Sequence, residues 1–339
     1  MLRRSVFLLA VLLLVFAGCA KKTEQSADAK PASFKVGLVF DVGGRGDKSF
    51  NDAAYAGLDS AKKTLGIDFE VNEPGEGGDR ESALRQFASS NDDIIFGVGF
   101  LFSDDVKTVA KDFPNKKFAC IDMNVAPGET LPPNVVALKF KEEEGSYLVG
   151  ALSGLLTKTH TVGFLGGMEI PLIKKFEAGY RAGVAKVAPQ TKVLVKYAGA
   201  TGQAFKDPTK GKELGLAMYG DGADIVFHAS GSTGLGLFEA AKEKNALAIG
   251  VDSDQGDAMP GHILTSMVKR VDVAVFETIK QTMDGQFPGG QARIYGLKDN
   301  GVGYVYDARN ASMIPANVKA TVDSLGKEIV AGRISVPSE

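Results

Sequence analysis

"FKVGLVFDVGGRGDKSFNDAAYAGLDSAKKTLG", residues 34–66, passes from an apolar run through a glycine-rich loop into an amphipathic stretch of helix length. A short, continuously apolar run such as 34–40 suits a strand covered on both faces. The loop at 41–52 holds three glycines, three aspartates, a lysine, Phe50 and Asn51. Its composition leaves three possible occupants: a phosphate, a partner protein through the Arg45-Gly46-Asp47 tripeptide, or a small neutral molecule.

The same alternation continues outward. "DFEVNE", "DIIFGVGF" and "KFACIDM" read as strands, separated by helices around "RESALRQFASS" and "SDDVKTVAKDF". After a break at "NVAPGETLPPN" (124–134) a second series begins with "VVALKF". It continues through "EEGSYLVGALSGLLTK", "TVGFLGG", "LIKKFEAGYRAGVAKVA", "KVLVKYAG", "GKELGLAMYGDG", "DIVFHAS", "GLGLFEAAKEK" and "ALAIGVD". Repeated βα units predict parallel sheets with helices on both faces, an α/β fold of two doubly wound lobes joined by a hinge. The expected boundaries are 34–139 plus about 268–300 for lobe 1, and 140–267 plus about 301–336 for lobe 2.

Ligands of open α/β sheets sit beyond the carboxyl ends of the strands. The loops that follow strands here carry Asp41, "GFLFSDD", Asp122, "GGMEIP", "ASGSTGLG" and "DSDQ". Two facing lobes with such polar, glycine-rich edges make a cleft suited to a small molecule.

The first twenty residues, "MLRRSVFLLAVLLLVFAGCA", place Arg3 and Arg4 before an apolar run too short to span a bilayer comfortably. Cys19 after Ala17-Gly18 looks like a bacterial lipobox with Phe16 in the usual leucine position, and predicts a palmitate-bearing lipid anchor at Cys19. Residues 20–33 are polar and poor in bulky apolar side chains, as expected of a flexible tether. Localisation at the cell membrane, facing outward, follows. With Cys19 lipidated only Cys120 remains, which excludes an intramolecular disulfide. Cys120 itself lies in an apolar strand pattern and reads as a small core residue. A net charge of −2 suggests no nucleic-acid partner.

Chemical motifs narrow the loop's role. "GGRGDKSF" has Asp47 where a phosphate loop needs glycine, and Asp41, Asp47 and Asp52 would repel an anion. Neither "GVGFLF" nor "GSTGLG" has the dinucleotide spacing. The three histidines, His160, His228 and His262, show no metal-ligand spacing, and only His228, after a strand, is a candidate to line the cleft. No metal or cofactor is expected. Asp41, Asp47, Asp122 and Asp252 suit acid–base work or, equally, hydrogen bonds from amide N–H groups and sugar diols. Phe50 beside Asn51 suits a flat heterocycle, or simply covers the core face of the first helix.

"DKSFND", "FEAGYRAGV", "GSTGLG", "IGVDSDQ" and "LTSMVKR", in that order from about Lys35 to Val336, resemble the basic membrane protein family of bacterial lipoproteins. These are purine nucleoside-binding components of ABC transporters. The resemblance implies a monomeric, non-enzymatic receptor of the type I periplasmic-binding-protein fold, with a permease and an ATPase as partners. A nucleoside such as guanosine, adenosine or inosine would be buried between the lobes. It further implies that Asp41, Asn51 and Asp122 bond the base between Phe50 and Phe176. Asp252 and Lys269 would hold the ribose and neutralise each other, with Gly231 and Gly234 giving close backbone approach. Asp47 can reach the ligand or cap the following helix, Asp252 can be an N-cap, and Lys269 can be an exposed lysine at a helix start. Tyr55 stands where relatives often carry tryptophan, and Arg45 can meet the sugar or face water. A same-fold sugar receptor or an extracytoplasmic nucleoside hydrolase would share these features.

Overall fold

The computed structural model describes residues 33–74 and 79–339. The leader, Cys19 and all but the last residue of the tether lie outside the described residues. Phe34–Glu339 form one compact unit, with twelve strands and nine α-helices among the described residues.

The first strand, β1 (Lys35–Val39), is buried, and residues 41–49 lead from it to α1 (Phe50–Leu65). Then come β2 (Asp68–Asn72), α2 (Arg80–Ala88), β3 (Ile94–Val98), α3 (Ser103–Asp112), β4 (Lys117–Ile121) and β5 (Val135–Phe140). The chain continues through α4 (Glu142–Leu156), β6 (Thr161–Met168), α5 (Pro171–Val187), β7 (Lys192–Gly199) and α6 (Pro208–Gly220). Next are β8 (Ile225–Ala229), α7 (Thr233–Glu243), β9 (Leu247–Asp252) and β10 (Ile263–Lys269). It closes with α8 (Val271–Met283), β11 (Gln291–Tyr295), β12 (Val302–Tyr304) and α9 (Ala316–Val330).

Two six-stranded sheets result, ordered β11-β5-β4-β3-β1-β2 and β12-β10-β9-β8-β6-β7. Every pairing is parallel except β10 with β12. Strand order reverses between β1 and β3 in one lobe and between β6 and β8 in the other. At such a reversal successive loops diverge and leave a crevice at the strands' carboxyl ends.

"VVALKF", the run that begins the second series in the sequence, lies in the first sheet. As β5 it pairs with β4 and β11 in the first sheet, so 124–134 is a loop within that lobe. Its apolar residues complete the first core, and the chain leaves the sheet only after Phe140. The chain passes back after β10, since α8 packs on α1, and returns after β11. Backbone bonds from Lys141 N to Tyr295 O (2.9 Å) and from Arg270 N to Gly301 O (2.8 Å) tie these passages together.

Helix α5 owes its position to glycine. A Cβ at Gly183 would fall 2.0 Å from Tyr147 O, and one at Gly179 2.2 Å from Glu143 O. Only bare backbone lets α5 lie this close to α4, and that approach carries Lys175 and Phe176 to the hinge. Cys120 is fully buried and free in the first core. Among the described residues no helix is long and apolar enough to cross a membrane.

Candidate ligand-binding cleft

The two crevices face one another around a cavity with about 540 Å³ of empty space, part of it open to solvent. Asp41, Asp47, Phe50, Asn51, Asp122, Phe176, Gly231, Asp252 and Lys269 line it, together with Phe100, Phe205 and Ser230.

The opening loop is built around its aspartates. Asp47 accepts from the backbone N–H of Ser49 (2.9 Å), Asn51 (2.8 Å) and Asp52 (3.1 Å), so it both caps α1 and reaches the cavity wall. Asn51 is fixed on both sides, accepting from Asp41 N at 2.9 Å and donating to Asp47 at 3.1 Å. Arg45 lies 3.4 Å over the Tyr55 ring and pairs with Asp52 at 3.0 Å. The Arg-Gly-Asp tripeptide is thereby folded onto α1 with its aspartate buried, which removes the geometry an adhesion receptor would need. Asp41 rests on the bare backbone of Gly99, where φ is +101° and a Cβ would lie 2.1 Å from Asp41 Oδ2.

Lys269 ends β10 and is 2 % exposed, so it is no exposed helix-start lysine. Its Nζ lies 2.6 Å from Asp122 Oδ2 and 3.1 Å from Glu142 Oε1, the second without hydrogen-bond geometry. The rings of Phe50, Phe140 and Phe176 surround it with centroids 5.0, 5.0 and 5.7 Å away. The expected direct pairing of Lys269 with Asp252 is therefore replaced. Asp252, at φ +63°, is not an N-cap, and accepts instead from Ser49 Oγ at 2.7 Å. The reason is distance: Asp122 and Glu142 reach the ammonium from the other lobe and the hinge, while Asp252 acts on it only through space.

Burial alone would depress the Lys269 ammonium, but Asp122, Glu142 and Asp252 outweigh that and raise it above its ordinary value. Burial drives Glu142 upward too, yet Lys269 and Lys175 together hold it below the usual carboxylate range. Asp41 and Asp252 are each pushed up to about 7, mainly by burial. With Lys269, the one lining cation among the described residues, already paired, this wall disfavours an anion and favours a neutral molecule rich in N–H and O–H donors. Asp122 shows where one donor belongs. Its Oδ1 is buried in the wall without a hydrogen-bond partner among the described residues.

The lobes are closed over this cavity. Phe100 meets Phe205 at 6.3 Å across the mouth. Behind, Ser49 Oγ also reaches Val251 O at 3.1 Å, and Ser253 Oγ donates to Ser49 O at 2.9 Å.

Residues 34–339 match the model of a family described as Bmp, ABC transporter substrate-binding protein PnrA-like. The chain belongs to the Bmp family. An uncharacterised lipoprotein of Pyrococcus abyssi is 38 % identical over 87 % of this Bmp chain and 74 % of its own length. The ABC transporter nucleoside-binding protein BmpA of Lactococcus lactis is 32 % identical, covering 96 % and 95 %. An ABC transporter solute-binding protein of Aeropyrum pernix K1 has a similar structure, with 30 % identity, a TM-score of 0.82 and coverage of 90 % and 94 %. The Bmp chain is thus an ABC transporter substrate-binding protein with the type I periplasmic-binding fold, in a family of binding proteins rather than enzymes.

Two expected positions in this Bmp protein lie elsewhere. Gly234 is in α7 away from the cavity lining, and a Cβ there would fall 2.0 Å from the His228 ring. Its glycine makes room for an imidazole, not for a ligand. His228 does not line the cleft either: it is fully buried behind the wall. Sequence reasoning missed Glu142, Lys175, Phe140 and Ser49. Lys175 Nζ is hydrogen-bonded to Glu142 and to Phe140 O, which fixes the carboxylate beside Lys269. Three glutamates opening α4, 142–144, were the available signal for a cation nearby.

Proposed function

We propose that this Bmp protein captures a purine nucleoside such as guanosine, inosine or adenosine between its lobes and presents it to an ABC importer. It acts as a monomer held at the outer face of the membrane by lipid on Cys19. The unpartnered Asp122 Oδ1, in a wall that also carries the Phe50 and Phe176 rings, carries this reading. A flat base supplies both the apolar faces for the rings and an edge N–H for that oxygen. The ribose brings hydroxyls to Asp252, Gly231 and Lys269 in the second lobe and at the hinge. The nucleoside-binding name of the Lactococcus lactis relative supports the same ligand class. Because ligand bonds form from both lobes, the closed state is the one stabilised by binding.

Calorimetric titration of ligand-free protein with guanosine, inosine, adenosine, uridine and ribose tests this. Saturable binding of the purine nucleosides, recovered intact after incubation, is expected. Ribose binding without nucleoside binding, or release of free base, would overturn it.

A further inference from the structure

Ser230 follows β8 in the second lobe, lines the cavity and lies against a histidine. Behind it stand His228, fully buried, and Gln255, 2 % exposed. Their protons can be assigned from a single fixed donor. Val251 N lies 2.8 Å from Gln255 Oε1, and a backbone N–H can only donate, so the amide oxygen faces it. The same Oε1 lies 3.1 Å from His228 Nε2, which must therefore carry a hydrogen. In a neutral imidazole Nδ1 is then the acceptor, and Ser230 Oγ, 3.2 Å away, gives it the hydroxyl proton. Burial favours the neutral ring, holding its pKa down at about 4.

The assembly is held rigidly. Gly234 seats the imidazole, Phe238 meets its ring edge-on at 5.2 Å, and Gln255 N donates to Ser266 Oγ at 2.9 Å. Gln255 Nε2 has no partner among the described residues, so this amide orientation persists despite a buried unsatisfied donor. The reverse orientation would point N–H groups at each other.

With its proton committed inward, Ser230 has only lone pairs to offer the cavity. We propose that Ser230 is a specificity-determining acceptor, locked by His228 and Gln255, that selects ligands offering an O–H donor at this wall, here one ribose hydroxyl. This rests on the nucleoside reading above. A serine free to rotate would accept or donate alike and would not tell a hydroxyl from an ether or a carbonyl. His228 and Gln255 are positioning residues, since neither touches the cavity.

Inosine and its 2′-, 3′- and 5′-deoxy analogues, titrated calorimetrically into the unaltered protein and Ser230→Ala, test the proposal. One analogue is expected to bind the unaltered protein about five- to tenfold more weakly than inosine, as for one lost hydrogen bond. In Ser230→Ala that same penalty should shrink below about twofold, with the other two penalties unchanged. Identical penalties in both proteins for all three analogues would overturn the proposal. Nitrogen-15 NMR of the unaltered protein reads the relay separately. The Nε2-protonated tautomer of His228 is expected, and the Nδ1-protonated form would overturn it. If the unaltered protein binds neither inosine nor guanosine, the nucleoside reading falls and the ribose selection with it, an outcome distinct from equal penalties.

Discussion

Replacing Asp122 with asparagine changes two atoms' chemistry and almost nothing else. The residue has φ +59°, a region that asparagine tolerates, so the backbone need not move. One side-chain position faces Lys269 Nζ at 2.6 Å, and the other, Oδ1, is buried without a partner among the described residues, in a side chain that lines the cavity. An ammonium requires an acceptor, so the new amide oxygen turns to Lys269 and the NH2 takes the place of Oδ1. A ligand N–H that met a carboxylate oxygen then meets another N–H. Hydrogen bonds to charged groups are worth about 1.5–3 kcal/mol, so guanosine affinity should fall roughly 10- to 150-fold. Glu142 still sits 3.1 Å from Lys269, so the ammonium keeps a counter-charge and the fold should survive. Calorimetric titration of ligand-free Asp122→Asn, with a thermal melt to confirm folding, measures the loss. A folded variant binding guanosine within twofold of the unaltered protein would show that Oδ1 receives no ligand donor.

Ser49→Ala removes the hydroxyl that joins the first lobe to Asp252 and Val251. At about 1 kcal/mol for one bond, ligand dissociation should speed up several-fold in stopped-flow release, and an unchanged rate would refute this interlobe role. Gly183→Ala drives a Cβ to 2.0 Å from Tyr147 O and should cost about 1–3 kcal/mol or more in urea unfolding. Gly220→Ala, with nothing within 4 Å, should be near neutral. Asp252 is protonated in the native protein up to about pH 7 but loses its proton near 3.8 when unfolded. Its contribution to stability therefore declines as pH rises from about 4 to about 7, by at most about 1.4 kcal/mol per pH unit. Asp252→Asn should make this part of the ligand-free stability curve shallower, while Asp41, likewise pushed up to about 7, keeps its own decline. His228 acts oppositely, losing stability as pH falls from 6.5 toward about 4, and should do so equally in both proteins.

Strands and helices up to residue 252 were legible because their signals are local: apolar runs, amphipathic spacing and glycine at strand ends. The chain beyond Asp252 was harder. β12 has only three residues and gains its place by pairing antiparallel with β10. "VVALKF" carried no mark of which sheet would take it, since a buried strand looks the same in either. "FEAGYRAG" was legible as a motif, but the reason for Gly179 and Gly183 is the backbone of a different helix.

The sequence by itself determined the doubly wound architecture, the glycine-rich loops at the strand ends and a cleft without catalytic or metal-ligand spacing. It also marked the aromatic and acidic residues that line that cleft. Only the tertiary structure decided which charges meet. Lys269 reads locally as a solvated lysine, yet it is buried and its partner Asp122 is 147 residues away, in the other lobe. The tertiary structure likewise set His228 behind the wall, left Asp122 Oδ1 unpaired and committed the proton of Ser230. Local sequence encodes backbone preference over a few residues. Protonation and pairing are set by whatever the fold brings within about 3 Å, which no local pattern specifies.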